Sequence, residues 1–317
     1  MTKGKSAIAS QCEKVFKHTR SGSYGTRARY ESSCMQFIGF LNENFKMQNL
    51  RNLQDKHIVA YLQYRQEQGI SAKTLKNDLG AIRYMHDMIP QARHEISNND
   101  DLAKNYDVYL DKTPAVKGDR AWTQTEYENM KGLAEQVSQK SDVHGLTAKD
   151  VRDLLPVCRT MGLRISEAVC MKRSQAEQAL RIGTYKVGSE AKNGLHREVP
   201  LSKEVKEVLQ ERLQQVARGE RVFVRKNEKA HQAVNGVERF LERHRGRVET
   251  SEGQQQRLYE GKSGALTYHG LRYGYVQDRM RQEMEKGFNY EQSAQVVTKE
   301  VGHSRVDVIA TYMGGGR

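Results

Sequence analysis

Proline is scarce in this chain, with four residues in 317. So few helix breakers leave room for long helices and argue against a turn-rich, many-stranded β architecture. Cysteine is equally rare, and Cys12, Cys34, Cys158 and Cys170 form no CxxC pair. A disulfide scaffold and a thiolate zinc site are therefore excluded. No stretch approaches the roughly 18 apolar residues that a membrane-spanning helix needs. The most apolar run, Met35 to Leu41, is far shorter. The N-terminus is polar and basic without an apolar signal core, so no membrane association and a cytoplasmic chain are expected. Aromatics make up 7% and hydrophobic residues 37%. That is lean, but it suffices for helical cores rather than disorder.

Positive charge is what the chain has in excess: 52 Lys and Arg stand against 39 Asp and Glu, a formal net charge of +13. Through Arg120 there are 19 basic and 13 acidic residues; beyond it there are 33 and 26. The two parts carry +6 and +7, so the excess is shared and is not a basic tail. At roughly 100–200 residues per domain, the length suggests two domains. Nucleic acid is the natural polyanion for such a protein, because Lys and Arg displace counterions condensed on phosphates. A merely soluble cationic surface explains the same composition, so motifs must decide.

Residues 1–29 read as a loose basic arm with one short helix around Cys12 to His18. From Arg29, Tyr30, Cys34, Phe37/Ile38 and Leu41 recur on one helical face. A second helix runs from Asp55, taken as its N-cap, through Ile58, Tyr61 and Leu62 to Gly69. Ser71 caps a third with Leu75, Leu79, Ile82 and Ile89 inward, and a fourth covers Asn99 to Leu110. Lys73, Lys76 and Arg83 lie on the third helix away from its apolar stripe, as a solvated face or as a face turned to phosphates.

Asp111 to Gly118 has Pro, Gly and charge without periodicity, and residues 111–121 read as a linker between a helical domain, 1–110, and a second domain, 122–317. Thr123 caps the first helix of that domain. Leu146 to Met161 is helical with an interruption expected near Pro156. Alternation at Tyr185 and Val187, then Arg197 to Leu201, predicts two short strands joined through Lys192-Asn193-Gly194. Helices are expected at Ser202 to Ala217, Asn235 to Arg245, Leu271 to Glu285, Tyr290 to Val301 and Asp307 to Tyr312. Gly246 to Gly264 reads as a polar, flexible loop. The fold class is mainly α with a small β-sheet.

Three short segments carry chemistry. The first is Met161-Gly-Leu-Arg-Ile-Ser-Glu-Ala168. The second is Tyr268-His-Gly-Leu-Arg272, with His269 and Arg272 at i, i+3 on one helical face. The third is Val301-Gly-His-Ser304, with Tyr312 nine residues after His303. Each alone has an ordinary explanation in packing or surface pairing. In this order, they resemble the tyrosine recombinases, the phage-type integrases. That family's pattern is an Arg in Gly-x-Arg-x-x-Glu, a Lys on a β-hairpin, His-x-x-Arg, Gly-His and a Tyr nucleophile. Arg164 with Glu167, Lys192, His269, Arg272, Gly302-His303 and Tyr312 match it. Lys192 is placed by counting back from Val199-Pro200-Leu201, and Lys186 is the alternative. The motifs span most of the second domain, and the helical first domain resembles the family's core-binding domain. Met161 and Tyr273 depart from residues common in the family beside its Gly-x-Arg and His-x-x-Arg. Only five residues follow Tyr312.

The chemistry suits these residue types. Metal-free cleavage of a phosphodiester must stabilise an anionic phosphorane, protonate a poor alkoxide leaving group and supply a nucleophile. Two guanidiniums, Arg164 and Arg272, can hold the non-bridging oxygens bidentately. His269 and His303 can donate hydrogen bonds or move protons, and Lys192 can reach the 5′-oxygen as general acid. A phenol, with an ordinary pKa of about 10, becomes a nucleophile when such a cationic cluster favours its anion. Glu167 supports Arg164.

The resemblance implies a site-specific recombinase that cleaves DNA through a covalent 3′-phosphotyrosine and rejoins it through a Holliday junction, without cofactor or metal. It implies double-stranded recombination sites as partner, a homotetramer on synapsed DNA from protomers monomeric or weakly associated when free, and accessory DNA-bending proteins. Lys73, Lys76 and Arg83 would then grip phosphates. A type IB topoisomerase uses a similar residue set, and a non-catalytic DNA-binding regulator is a third reading. No competing motif holds: Gly261-Lys262-Ser263 has Gln256 where a P-loop requires its first Gly.

Overall fold

A computed structural model describes residues 6–18, 24–111, 118–191 and 195–314. The chain divides into two units, Met1–Pro114 and Ala115–Arg317. Among the described residues it is mainly helical, with two short two-stranded sheets. No described helix is long and apolar enough to cross a membrane.

The first unit is built of α1 (Ala7–His18), α2 (Tyr24–Phe45), a 3₁₀ turn (Leu50–Asn52), α3 (Asp55–Glu67), α4 (Ala72–Asp87) and α5 (Asn99–Tyr106). The expected loose arm is largely folded. Ile8, Cys12 and Phe16, spaced by four, form a stripe that α1 buries against α2 and α4. Fully burying such side chains is worth about 1.5–3 kcal/mol each, and that gain holds a helix the polar composition conceals. The N-cap of α3 is Gln54 rather than Asp55, whose carboxylate instead accepts from the Ser97 N–H at 2.9 Å and from the Ser97 hydroxyl. Ser71 does cap α4, accepting from Thr74 N, and Leu75, Leu79, Ile82 and Met85 point inward. α5 stops at Tyr106, short of Leu110, because Asp107 turns left-handed at φ 56°.

The second unit opens with α6 (Gln124–Ser138), whose capping box pairs Thr123 with Glu126. α7 (Val143–Met161) starts three residues before Leu146, since the Asp142 carboxylate caps it by accepting from Gly145 N at 2.8 Å. The break expected at Pro156 does not occur. Leu154, Leu155, Val157 and Cys158 on either side are fully buried, and packing against α6, α11 and α13 holds the turn that lacks one hydrogen bond. α8 (Ile165–Val169) and α9 (Arg173–Ile182) lead to β1 (Thr184–Val187), which pairs antiparallel with β2 (Arg197–Pro200). α10 (Lys203–Leu213), capped by Ser202, and α11 (Ala230–His244) follow.

The segment Gly246 to Gly264 is not the expected loop. It holds α12 (Ser251–Gln256) and the hairpin of β3 (Leu258–Tyr259) with β4 (Lys262–Ser263). Its organiser is the buried Glu126 carboxylate, which accepts from Arg257 at 2.6 and 2.7 Å, from Thr250 N and from Thr123 N. Burial alone would raise the pKa of Glu126; the Arg257 pair and the backbone donors lower it instead. The unit ends with α13 (Tyr268–Glu285), α14 (Tyr290–Glu300) and α15 (Val308–Tyr312). Its core centres on α7.

Candidate active site

α7 ends at Gly162, at φ 59°. A Cβ there would overlap the ring of Tyr275 on α13, so both the left-handed backbone and the close approach require glycine. Two residues on, Arg164 is the N-cap of α8 and Glu167 its N3 residue. The Glu167 carboxylate accepts from Arg164 N at 2.9 Å and from its guanidinium at 2.8 Å. The three-residue spacing of Arg and Glu is thus the spacing of a helix cap, and the charge that starts the helix also aims the guanidinium.

Thr267 caps α13, accepting from Gly270 N. This sets His269 at the rim and Arg272, one turn on, beneath it. Arg272 is 0% exposed. It donates to the carbonyl of Gly162 at 2.6 Å, to the carbonyl of Val301, and through Nε to the hydroxyl of Tyr312 at 3.2 Å. One side chain therefore joins the end of α7, the end of α14 and α15. After α14, Gly302 turns left-handed at φ 62° and His303 N returns to the carbonyl of Thr298. That turn brings His303 Nε2 within 2.9 Å of the Tyr312 hydroxyl. Tyr312 is itself buried, at 3% exposure, with the ring of Tyr273 4.7 Å and that of His269 5.9 Å away.

The electrostatics are dominated by arginine. His269 is exposed at the rim, yet its pKa is pushed down to about 4, first by partial desolvation of its ring and then by Arg272, Arg120, Arg164 and His303. At neutral pH it is an uncharged imidazole, able to donate one hydrogen bond and accept another. Glu167 is the counterweight. Burial would raise its pKa, but hydrogen bonds from Arg197, that residue's charge and the Arg164 contacts bring it down to about 2. Among the described residues no three His, Cys, Asp or Glu side chains converge as a metal site would need.

The structure thus gathers Arg164, Glu167, His269, Arg272, His303 and Tyr312 in one site. Lys192 lies outside the described residues. The chain just before it is anchored: Ala191 is buried, and Glu190 accepts from Tyr185 Oη at 2.7 Å and from Gln175 at 2.8 Å. The alternative, Lys186, points from β1 to solvent and pairs across the hairpin with Glu198 at 3.0 Å. In the first unit, Lys73 is exposed on α4, and Lys76 donates to the Asp111 carbonyl at 2.8 Å. Arg83 is already engaged within the unit. Its guanidinium donates to Asn99 Oδ1 at 2.8 Å and to the Ser97 carbonyl at 2.6 Å, fastening the start of α5 and the residues before it onto α4.

One residue that sequence reasoning passed over is Arg197 on β2. It is buried, and its guanidinium donates to both oxygens of Glu167 at 3.2 and 2.6 Å and through Nε to the carbonyl of Glu300 at 2.9 Å. The signal was present in the alternation that predicts the strand. Arg197 shares the inward face with Val199, and an arginine on a buried face requires a partner.

Comparison with known proteins accords with this geometry. The model of the phage integrase family matches residues 120–314, the whole span that carries the site. The chain belongs to the phage integrase family, the tyrosine recombinases. The integrase N-terminal model matches residues 6–94 of this recombinase. No curated protein sequence matches it. Its fold is similar to solved recombinase structures. One is the Tn1549 transposon integrase in complex with a circular intermediate DNA (15% identity, 97% of this chain and 95% of that one, TM-score 0.60). Another is the XerH site-specific recombinase bound to its palindromic difH substrate in a post-cleavage complex (18%, 96% and 80%, 0.58). A third is a lambda integrase tetramer bound to a Holliday junction (16%, 98% and 78%, 0.58).

Proposed function

We propose that this recombinase cuts and rejoins DNA at specific sites, with Tyr312 as nucleophile. One observation carries the reading: the Tyr312 hydroxyl sits within hydrogen-bonding distance of both Arg272 and His303, in the matched catalytic region. Attack by that oxygen on a DNA phosphorus forms the 3′-phosphotyrosine and releases a 5′-hydroxyl. Arg164 and Arg272 stabilise the charge that grows on the non-bridging oxygens. His303 takes or returns the phenolic proton, and neutral His269 donates a hydrogen bond at the rim. Lys192 protonates the leaving 5′-oxygen. The anchoring of Ala191 supports this choice, and the solvent-facing pairing of Lys186 speaks against the alternative. The ester conserves the energy of the broken bond, so religation needs no cofactor.

The helical unit of residues 1–110 would hold duplex DNA, with Lys73 and Lys76 as phosphate contacts, and 111–121 would join it to the catalytic unit. Exchange would proceed through a Holliday junction between two synapsed sites held by four protomers, with accessory DNA-bending proteins at some sites. The protein would act in the cytoplasm, on a mobile element or its target.

The test is trapping. Nicked duplexes tiled across the DNA flanking the gene are incubated with the full chain and resolved under denaturing conditions. The wild-type chain should form a covalent protein–DNA adduct, and Tyr312→Phe should form none while retaining DNA affinity. An adduct on the phenylalanine variant would show that Tyr312 is not the nucleophile.

A further inference from the structure

β2 contributes no residue of the expected catalytic set, yet Arg197 reaches from it to both flanks of the site. Its two terminal nitrogens hold the carboxylate of Glu167, which also holds Arg164 through the backbone and the guanidinium. Its Nε holds the carbonyl of Glu300, at the end of α14. Beyond that carbonyl lie Val301, whose carbonyl accepts from Arg272, and Gly302, where a Cβ would stand 3.1 Å from Arg197 Cδ. The next residue is His303. The same strand is paired along its length with β1.

We propose that Arg197 is a positioning residue for strand cleavage, setting Arg164 through Glu167 and His303 through the Glu300–Gly302 turn. A single buried fork thereby keeps the guanidinium on one side in register with the histidine on the other. The inference rests on the reading of Tyr312 as nucleophile. Arginine is required by geometry. Its planar fork meets a carboxylate bidentately while Nε points to a third acceptor, whereas lysine is a point charge with no such fork. A displacement of about 1 Å in a reacting group can slow a reaction about 100-fold, so a small error in this fork reaches the chemistry without touching substrate.

Arg197→Lys in the full chain tests this on whichever nicked duplex the wild-type chain traps. The expected result is an adduct formed at least about 100-fold more slowly, with unchanged DNA affinity and a cooperative melt. In an Arg164→Ala background, Arg197→Lys should cost much less than it does alone, because two changes acting through one group are not additive. Where Arg197→Lys melts too low to assay, Glu167→Gln loosens the same fork from the other side and should give the same separation of rate from affinity. Wild-type trapping rates in Arg197→Lys, fully additive losses, or rate and affinity falling together with the folded fraction would each overturn the proposal. A wild-type chain that traps no duplex would instead remove the reading beneath it.

Discussion

The hydroxyl of Tyr312 and Nε2 of His303 are 2.9 Å apart, across a nine-residue segment that leaves α14 and returns as α15. The proposed nucleophile is thus already within reach of its proposed proton partner in one chain, and Arg272 Nε marks the third corner. Removing the imidazole leaves the phenol in place but without its proton path. We expect His303→Ala to slow adduct formation by about 100-fold, at the low end of what general acid–base groups contribute. Affinity for the same duplex should stay within about twofold. Single-turnover trapping alongside a filter-binding titration checks both.

Gly162 joins backbone conformation to the seating of Arg272. Gly162→Ala places a methyl against the Tyr275 ring at a left-handed position. A conformational cost of about 1–2 kcal/mol and an overpacking cost of about 1–3 kcal/mol both apply. Chemical denaturation should show a loss of about 2–4 kcal/mol. Because the carbonyl of this residue accepts from Arg272, trapping should slow by more than the decrease in folded fraction accounts for.

His269 makes the site sensitive to acid. Unfolded, the ring takes a proton near pH 6.5; folded, desolvation and the surrounding guanidiniums hold its pKa at about 4. The unfolded chain binds that proton first, so the stability tied to the neutral ring is full above about pH 6.5 and is lost as pH falls toward about 4. Melting temperatures from pH 8 to pH 4.5 should therefore drop more steeply in the wild-type chain than in His269→Asn. NMR of the ring should show no titration between pH 8 and pH 5.5.

The cations of α4 should separate by salt dependence. Withdrawing one cation from a DNA phosphate lowers the slope of log affinity against log salt by about 0.9. Lys73→Ala should reduce that slope by about one and leave the melt unchanged, since the side chain stands in solvent. Arg83→Ala should lower stability by about 1–3 kcal/mol through the unpaired groups it leaves on Asn99 and Ser97, with the slope intact. Binding isotherms at four salt concentrations, with melts of each variant, distinguish the two.

Much of the fold and the site is legible in the sequence because it is local. Ser71 and Thr123 announce helix starts through their own hydrogen bonds, and the hairpin register follows from a two-residue period. The site residues are readable from spacing, since Arg164 and Glu167 stand as cap and N3, and His269 and Arg272 share a helical face. What escapes depends on partners distant in sequence. α12 and the β3–β4 hairpin form around a carboxylate on α6, more than a hundred residues earlier, and nothing in their polar composition signals it. Pro156 reads as a break because its cost is local while the burial that offsets it is not. Arg83 looks solvated on a helical wheel, but its acceptors arrive from Ser97 and from Asn99 at the start of α5.

Arg272 has five N–H groups, and three are committed to Gly162, Val301 and Tyr312. At most two remain, so the phosphate grip proposed for it would be a two-donor grip at best. A lysine placed there would bring three donors in all, as many as those protein acceptors already take up. If it kept all three it would have none left for a phosphate, whereas the guanidinium keeps two, and that surplus of donors is what would let one buried cation serve the proposed nucleophile and its substrate together.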